Sequence, residues 1–287
     1  MRTVVHGATG AQGSPVVAAL VALGEEPIAL SRSGKPVPGA RALAVDATSE
    51  SDLTEAYTGA DAVFIHLPMA PQDELMKIAG AATAAVKAAR PGRVVISTSG
   101  VILGAPGTPL QAPADSPLAE LVDGVTATGI PTAVIEPRLF LENLLLPHIQ
   151  AGIREDGVLR YPIREDFAVS WASHLDVAEA IVGLLRDPSV TGVVGVGHLP
   201  PVKGADLAAA FSEALGTEVA FEAITPAEFG AQAAPILGEG PAAGVVGFYT
   251  ALQTEPAFTF DATVGAAALV GVSPMPLATW AKAVTAS

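Results

Sequence analysis

The sequence predicts an α/β protein built on a doubly wound parallel sheet, with a smaller C-terminal lobe of mixed α and β structure. Two observations predict this class. Short, continuously apolar runs alternate with amphipathic segments at helical spacing as far as Ile135, which is typical of strands covered by helices on both faces. A glycine-rich turn also joins the first of these runs to the first helical segment. Strands that alternate with helices in this way are most economically arranged as one parallel sheet.

The first element is a strand, a glycine turn and a helix. Thr3 to His6 is the apolar strand, and Ser14 to Leu23 repeats Val, Ala and Leu at helical spacing. Glycines in such a turn form the tight bend, let the backbone approach a phosphate and let the helix pack on the strand. Free N–H groups at the helix start then face the phosphates. We expect the turn to bind a pyrophosphate; the alternative is that its glycines only shape a bend. Its binding residues are Gly7, Thr9, Gly10, Ala11, Gln12 and Gly13.

The second strand, Pro27 to Leu30, ends at a basic residue. An NAD site would carry an acidic residue here to hold the ribose hydroxyls, whereas this chain has Arg32 beside Ser33. A guanidinium binds two phosphate oxygens at once. The sequence therefore favours NADP(H) over NAD(H), unless Arg32 is a solvated loop residue.

The next strands place further residues at the same edge of the sheet. The third strand, Arg41 to Val45, leads to Asp46 and Ala47, which lie near the adenine or cap the following turn. The fourth, Ala62 to His66, leads to Leu67 and Pro68, and the fifth, Arg93 to Ser97, leads to Thr98 and Ser99. The C-terminal ends of parallel strands line the ligand crevice. We therefore expect Asp46, Ala47, His66, Leu67, Pro68, Ser97 and Thr98 beside the cofactor, with His66 either catalytic or a packing residue.

Helices and later strands complete the prediction. The predicted helices are Glu50 to Tyr57 with Ser51 as cap, Glu74 to Ala89, Leu118 to Thr128, a capped helix from Ser173 to Leu185, Ala205 to Leu215 and one beginning at Pro226; the predicted strands are Pro131 to Ile135, Gly192 to Gly197 and Val219 to Ile224; residues 104–117 form a loop. The last sixty residues are predicted as helices and loops. We expect a nucleotide domain over residues 1–152, to which 170–197 returns, and a substrate lobe over 153–287.

The composition excludes several classes of function. A formal net charge of −14 repels nucleic acid and anionic membranes, and no apolar run has the length that spans a bilayer. Cysteine is absent, so disulfides and thiolate chemistry are excluded, and the five histidines lack metal-ligand spacing. The N-terminus enters its strand without an export signal. We expect a cytoplasmic monomer or homodimer with no nucleic-acid, membrane or metal partner.

Five stretches occur in the order found in a known family: Gly7-Ala8-Thr9-Gly10-Ala11-Gln12-Gly13, Ser31-Arg32-Ser33, Gly59-Ala60-Asp61-Ala62-Val63-Phe64, Val94 to Gly100, and Glu136 to Leu144. Together they resemble the atypical short-chain dehydrogenase/reductases of the NmrA-like group, which have the Rossmann fold. That group includes NADP-dependent quinone reductases, triphenylmethane reductases and redox-sensing regulators without turnover. The resemblance implies that the glycine turn and Arg32 hold the dinucleotide, that the fourth and fifth strand ends flank its nicotinamide, and that Phe140 to Leu144 borders the substrate pocket.

The sequence departs from that family pattern at the proton donor. Most short-chain reductases carry a tyrosine with a lysine four residues later, but Tyr57, Tyr161 and Tyr249 are followed at that spacing by Asp, Glu and Gln. Glu136 stands where the family usually has arginine, and Arg138 where it usually has glycine. The two form an internal ion pair, or they contact cofactor or substrate.

Hydride delivery belongs to the cofactor, so acceptors that need no simultaneous protonation remain accessible. We therefore expect an NADPH-dependent reductase of a small apolar, conjugated or aromatic acceptor of the quinone, enone or iminium type. The candidate catalytic residues are Ser99, His66 and Glu136. The candidate substrate-binding residues are Phe140, Leu141, Asn143, Leu144, His148, Trp171, Phe248 and Tyr249. Two alternatives stay open: an NADP(H)-sensing regulator without turnover, and a non-redox lyase, cyclase or hydrolase that uses His66, Glu136 or Asp115.

Overall fold

The computed structural model describes residues 1–105 and 107–286. Pro106, inside the loop predicted over residues 104–117, and Ser287 lie outside the described residues. The strands of the main sheet are β1 (Thr3–Val5), β2 (Ile28–Ser31), β3 (Arg41–Ala44), β4 (Ala62–His66), β5 (Val94–Ser97) and β6 (Thr132–Pro137), together with the later β11 (Gly192–Val196). They are all parallel, in the spatial order β11-β6-β5-β4-β1-β2-β3. The predicted doubly wound parallel sheet is confirmed.

Helices cover both faces of this sheet. The helices of this part are α1 (Gly13–Ala22), α2 (Glu50–Tyr57), α3 (Gln72–Ala89), α4 (Pro117–Thr126) and the later α6 (His174–Arg186). Successive strand residues point to opposite faces, so Phe64 joins a core formed with α1 and α6, while Ile65 joins a core formed with α2, α3 and α4. Both side chains are fully buried.

A third apolar core lies under the segment between β6 and α6 and under the C-terminal helices. It is formed by β7 (Leu139–Phe140), a 3₁₀ turn (Leu141–Leu145), α5 (Pro147–Ala151), a π turn (Gly152–Asp156), β8 (Val158–Tyr161), β9 (Ala168–Val169), β10 (Trp171–Ala172), α7 (Gly204–Leu215), β12 (Ala220–Ala223), α8 (Pro226–Leu237), α9 (Glu239–Leu252), β13 (Ala257–Phe258) and α11 (Leu277–Thr285). Three parallel two-stranded pairs, β7–β10, β8–β12 and β9–β13, hold this region together. A 3₁₀ turn (Ala262–Val264) leads to α10 (Ala266–Val270), which packs into the core formed with α1 and α6.

The predicted helices and strands are confirmed to within two residues at each end, with two corrections. Ser51 was expected to cap α2, but Ser49 is the cap, because its backbone is extended and its hydroxyl accepts the Asp52 N–H. The last sixty residues were expected to form helices and loops, but a strand, β13, lies among them. Its two residues are too few to give a recognisable pattern in the sequence. No helix within residues 1–105 or 107–286 combines the length and apolar character needed to cross a bilayer.

Candidate active site

A cleft of about 620 Å³ runs along the C-terminal ends of the parallel strands. Most of the residues predicted to bind cofactor line it, together with two of the predicted catalytic residues and one predicted substrate residue. These are Gly7, Thr9, Gly10, Ala11, Gln12, Arg32, Asp46, Ala47, His66, Leu67, Pro68, Ser99 and Phe140. The cleft also includes residues that the sequence did not single out, notably His174, His6 and Glu74.

The glycine turn has the geometry of a phosphate cradle. Gly7 has φ +56°, and the Gly10 N–H donates to the Gly7 carbonyl at 2.8 Å, which closes the bend. A Cβ on Gly13 would lie 2.3 Å from the Gly7 carbonyl oxygen, so only glycine lets α1 pack this closely on the turn. Within the described residues, the N–H groups of Ala11 and Gln12 donate to no backbone oxygen. They remain free for an anion at the start of α1.

One end of the cleft carries the residues that follow β2 and β3. Arg32 is exposed and lines the cleft there, and Ser33 is exposed beside it without lining it. Asp46 lines the cleft and also caps the next turn, because it accepts hydrogen bonds from the Thr48 N–H at 2.8 Å and the Thr48 hydroxyl at 2.7 Å. These bonds lower the pKa of Asp46. Both sequence alternatives for Asp46 are therefore compatible with its position.

Two histidines form the floor beneath the glycine turn. The His66 ring lies so close to Gly7 that a Cβ there would fall 2.2 Å from its Nε2. Burial lowers the pKa of His66, opposed by hydrogen bonds with the backbone of Leu67 and His6. His6 is buried and bonded to the Tyr57 hydroxyl, and burial lowers its pKa to about 3. Both imidazoles are neutral near pH 7, which suits close packing under the turn.

The other end of the cleft is organised by Gln12. Its Nε2 donates to Ser99 Oγ at 2.7 Å, and its Oε1 accepts from Ser97 Oγ at 2.7 Å. The Ser99 N–H also donates to Ser97 Oγ at 3.2 Å. Ser99 has φ +56°, a left-handed conformation that costs free energy for a residue with a Cβ. Ser97 does not line the cleft; it fixes Gln12 and Ser99, which do.

Phe140 and His174 close the same end. The parallel pairing of Trp171 with Leu139 and of Ala172 with Phe140 brings β7 beside the start of α6. The Phe140 and His174 rings lie 4.6 Å apart between centroids. Glu142 Oε1 accepts the His174 N–H at 2.9 Å, and Glu142 Oε2 lies 3.7 Å from His174 Nδ1.

Glu136 and Arg138 lie behind this end and do not line the cleft. Arg138 Nη1 and Glu136 Oε1 are 2.7 Å apart in a buried ion pair. Glu136 Oε2 accepts the Leu103 N–H, and Arg138 Nε donates to the Thr259 carbonyl. The Arg138 guanidinium also lies 5.5 Å from the Phe258 ring centroid. Of the sequence alternatives, the structure has the internal ion pair.

The remaining predicted substrate residues do not line the cleft. Leu141, Leu144, Trp171 and Tyr249 belong to the third core, and Phe248 packs against it. Trp171, Leu141 and Leu144 are fully buried. The Tyr161 and Tyr249 hydroxyls bond to each other, and burial raises the pKa of Tyr161 to about 12, opposed by hydrogen bonds from Tyr249 and Asn143. His148 packs edge-on against Phe229, and Phe248 is half-buried beside Tyr249. Thr98 is also buried outside the cleft.

Sequence reasoning missed His174 because its position in the cleft depends on a pairing between distant segments. The capped start of α6 was predicted, with Ser173 and Asp176 forming a reciprocal cap. The two-residue strands that bring this helix start to Phe140 carry no periodic signal. The available clue was that His174 is a polar residue directly after Ser173, the predicted cap of α6.

The site fits a nicotinamide dinucleotide. The glycine cradle supplies free N–H groups, Arg32 supplies a guanidinium at one end, and the strand-end segments between them line one continuous cleft. No group of three or more His, Asp or Glu side chains within residues 1–105 and 107–286 is arranged to hold a metal ion.

Comparison with known proteins agrees with this geometry. The sequence model of the NmrA-like family matches residues 2–256. An NAD(P)H azoreductase from Xenophilus azovorans is 34% identical over 237 residues, which are 77% of this chain and 76% of that protein.

Two solved structures show the same fold. Triphenylmethane reductase from Citrobacter sp., complexed with NADP(H), superposes with a TM-score of 0.79 at 18% identity over 99% of each chain. An NADPH-dependent quinone oxidoreductase from Escherichia coli, complexed with NADPH, gives 0.73 at 20% identity over 99% of this chain and 100% of the other. The family resemblance predicted from the sequence is thus confirmed, and the chain belongs to the NmrA-like family.

Proposed function

We propose that this protein is an NADPH-dependent reductase of a small, apolar, conjugated acceptor such as a quinone or an azo compound. The observation that carries the proposal is one cleft with two chemically different ends. Arg32 lies toward one end, Ser99, Phe140 and His174 lie toward the other, and the phosphate cradle lies between them. The azoreductase, quinone reductase and triphenylmethane reductase names of similar proteins support the same reaction class.

The order of the sheet supports the orientation of the cofactor. Strand β1 lies between β2 and β4, so the glycine turn is central, with Arg32 and Asp46 on one side and Ser99 on the other. A pyrophosphate held centrally by Gly10 to Gln12 directs the adenosine toward Arg32 and the nicotinamide toward Ser99. Arg32 then favours NADPH over NADH, because its guanidinium can bind the 2′-phosphate at two oxygens.

The substrate end is suited to an apolar acceptor. Phe140 and the exposed side chain of Met69 offer apolar surface at the cleft. Ser99 supplies the polar contact: its oxygen already accepts from Gln12, and no described residue accepts its hydroxyl hydrogen. That hydrogen is free to bond an acceptor oxygen or nitrogen as negative charge develops there. Bound NADPH supplies the hydride, and the protein orients acceptor and cofactor.

The non-redox alternative has less support. It needs His66, Glu136 or Asp115 as an acid or base. Glu136 is paired with Arg138, and Asp115 is exposed outside the cleft. His66 lines the cleft, but its ring is packed against Gly7 and burial lowers its pKa. The deciding experiment measures loss of NADPH absorbance with the purified protein against menadione, methyl red and crystal violet. Turnover with at least one acceptor, faster with NADPH than with NADH, is expected. Cofactor binding by calorimetry without turnover on the whole panel would instead favour the sensing regulator.

A further inference from the structure

No tyrosine stands ready to protonate a reduced acceptor in this cleft. Tyr57, Tyr161 and Tyr249 are all buried, with hydroxyls bonded to His6 or to each other. Among the described residues that line the cleft, His6, His66 and His174 carry imidazoles, the side chain whose unperturbed pKa lies closest to neutral pH. Their surroundings differ sharply.

His174 is the imidazole with a carboxylate behind it. Glu142 is held in place by the His174 backbone N–H at 2.9 Å, and its second oxygen lies 3.7 Å from His174 Nδ1. That second oxygen, Oε2, is buried and has no hydrogen-bond partner among the described residues. By contrast, His6 is occupied by Tyr57, and His66 is packed against Gly7.

His174 also lies at the correct end of the cleft. Its ring packs on Phe140, which lines the cleft together with Ser99. Its ring nitrogens make no hydrogen bond to any residue in 1–105 or 107–286, and its side chain keeps 20% of its exposure. Glu142 faces the Nδ1 edge, so the Nε2 edge is left for a ligand.

We propose that His174, positioned by Glu142, is the catalytic acid that protonates the reduced acceptor. The inference rests on the proposed reductase function. Reduction of a quinone or azo compound takes up a hydride, which the nicotinamide cofactor supplies, and a proton. The proton comes from His174: the Nε2–H bond breaks, a bond forms from that hydrogen to the anionic oxygen or nitrogen of the acceptor, and water reprotonates the imidazole.

The charge balance around His174 gives a direction to the pH dependence. The pKa of His174 lies below the ordinary value of a histidine, because burial lowers it by more than Glu142, the charged group that acts on it, raises it. Protonated His174 is the active form, so kcat with a quinone falls as pH rises through the pKa of His174. Glu142→Gln keeps an oxygen that accepts the His174 N–H but removes the charge, so it should move this fall to lower pH.

Comparing two acceptors distinguishes proton donation by His174 from a role in binding the cofactor or the acceptor. Menadione needs a proton after hydride transfer, whereas crystal violet, a carbocation, becomes a neutral product on hydride addition alone. His174→Gln should lower kcat with menadione about 10²-fold or more and abolish the pH-dependent fall. The same variant should lower kcat with crystal violet much less than with menadione, because hydride addition to the carbocation takes up no proton. Glu179→Gln, an exposed change on the same helix, is the matched control and should affect neither acceptor.

Equal loss with both acceptors, or no loss with menadione, would overturn the inference while leaving the reductase function intact. A wild-type protein that reduces neither acceptor would refute the reductase function itself. A second measurement, by NMR, tests whether His174 contacts the acceptor. The imidazole proton resonance of His174, assigned by its loss in His174→Gln, should shift when menadione is added to the NADP⁺ complex. An unmoved resonance rejects the assignment.

Discussion

Gln12 Nε2 donates a hydrogen bond to Ser99 Oγ at 2.7 Å, joining the glycine turn to the end of β5 across 87 positions of the chain. The bond has a defined direction, because the Gln12 carbonyl oxygen is already used by Ser97. Ser99 must therefore accept, and its own hydrogen is left for a ligand. Gln12 therefore connects the turn, where the cofactor phosphates would bind to backbone N–H groups, with Ser99, where the acceptor would bind.

Gln12→Met is expected to keep the fold and weaken catalysis. The methionine fills the same volume but neither donates to Ser99 nor accepts from Ser97. Loss of one or two hydrogen bonds, each contributing about 0.5–1.5 kcal/mol, should lower kcat/KM for menadione roughly 10-fold, with a smaller effect on NADPH affinity. Steady-state kinetics with each substrate varied checks this. Unchanged kcat/KM for menadione would show that the Ser99 orientation has no catalytic effect.

Arg32→Ala tests the preference for the phosphorylated cofactor. A charge-assisted hydrogen bond contributes about 1.5–3 kcal/mol, so the Kd for NADPH should rise roughly 10- to 100-fold while the Kd for NADH hardly changes. Lys35→Ala, a nearby exposed lysine outside the cleft, is the matched control. Calorimetric titration of both cofactors into both variants measures the effect. Equal weakening of NADPH and NADH would contradict a 2′-phosphate contact.

Much of the sheet could be predicted because its strands are continuously apolar. The bounds of β4 and α2 agree with the sequence prediction at both ends. The same local rules failed for the α2 cap, since Ser49 and Ser51 are equally good caps in sequence and only the extended backbone at Ser49 distinguishes them.

The cleft residues also differ in how far they could be predicted. Residues just after strands, such as Arg32 and Ser99, could be predicted because parallel strands end at one edge of the sheet. His174 was not, because it reaches the cleft through the pairing of Leu139 with Trp171, which lie 32 positions apart in the chain. The partners of Glu136 and Arg138 likewise include the distant Thr259 carbonyl.

Gly13→Ala should damage the cradle. Its Cβ would meet the Gly7 carbonyl oxygen at 2.3 Å and the His6 carbonyl oxygen at 2.6 Å, so α1 would have to move away from the turn. Overpacking of this kind typically costs about 1–3 kcal/mol, and NADPH affinity should fall with it. Gly80→Ala in α3 is the control: nothing lies within 4 Å of that added Cβ, and the helix should gain about 0.5–1 kcal/mol. Urea unfolding with and without NADPH measures both, and a harmless Gly13→Ala would contradict the close packing.

Arg138→Met should destabilise the fold strongly. It leaves the Glu136 carboxylate buried without its partner, and breaking a buried pair in this way costs about 3–5 kcal/mol. The double variant Glu136→Leu/Arg138→Met should lose less than Arg138→Met alone, because no charge stays buried. Arg160→Met, which breaks ion pairs with the exposed Asp156 and Glu222, should cost about 0–1 kcal/mol. Urea unfolding of the wild type and the three variants measures the free energy of unfolding. Equal losses of stability for Arg138→Met and Arg160→Met would contradict the argument.

Acid should destabilise the protein through His6. Burial holds the pKa of His6 at about 3 in the folded state, against 6.5 for an unperturbed histidine. Above pH 6.5 the imidazole is neutral in both states and contributes no pH dependence. As pH falls from 6.5 toward 3 the unfolded chain takes up a proton that the folded chain does not, so stability is lost. One such proton gives a slope of up to about 1.4 kcal/mol per pH unit.

His6→Gln isolates this effect from the other histidines. Glutamine can still accept a hydrogen bond from the Tyr57 hydroxyl, but it does not titrate, so the variant should lose stability less steeply between pH 6.5 and pH 5 than the wild type. Burial also lowers the pKa of His148 and His174, which adds the same slope to both proteins and cancels in the difference. His66 interacts with His6, so the difference between the slopes reports His6 together with its effect on His66. The free energy of unfolding in urea at a series of pH values gives the two slopes. Parallel slopes would mean that His6 takes up a proton in the folded state as readily as in the unfolded chain.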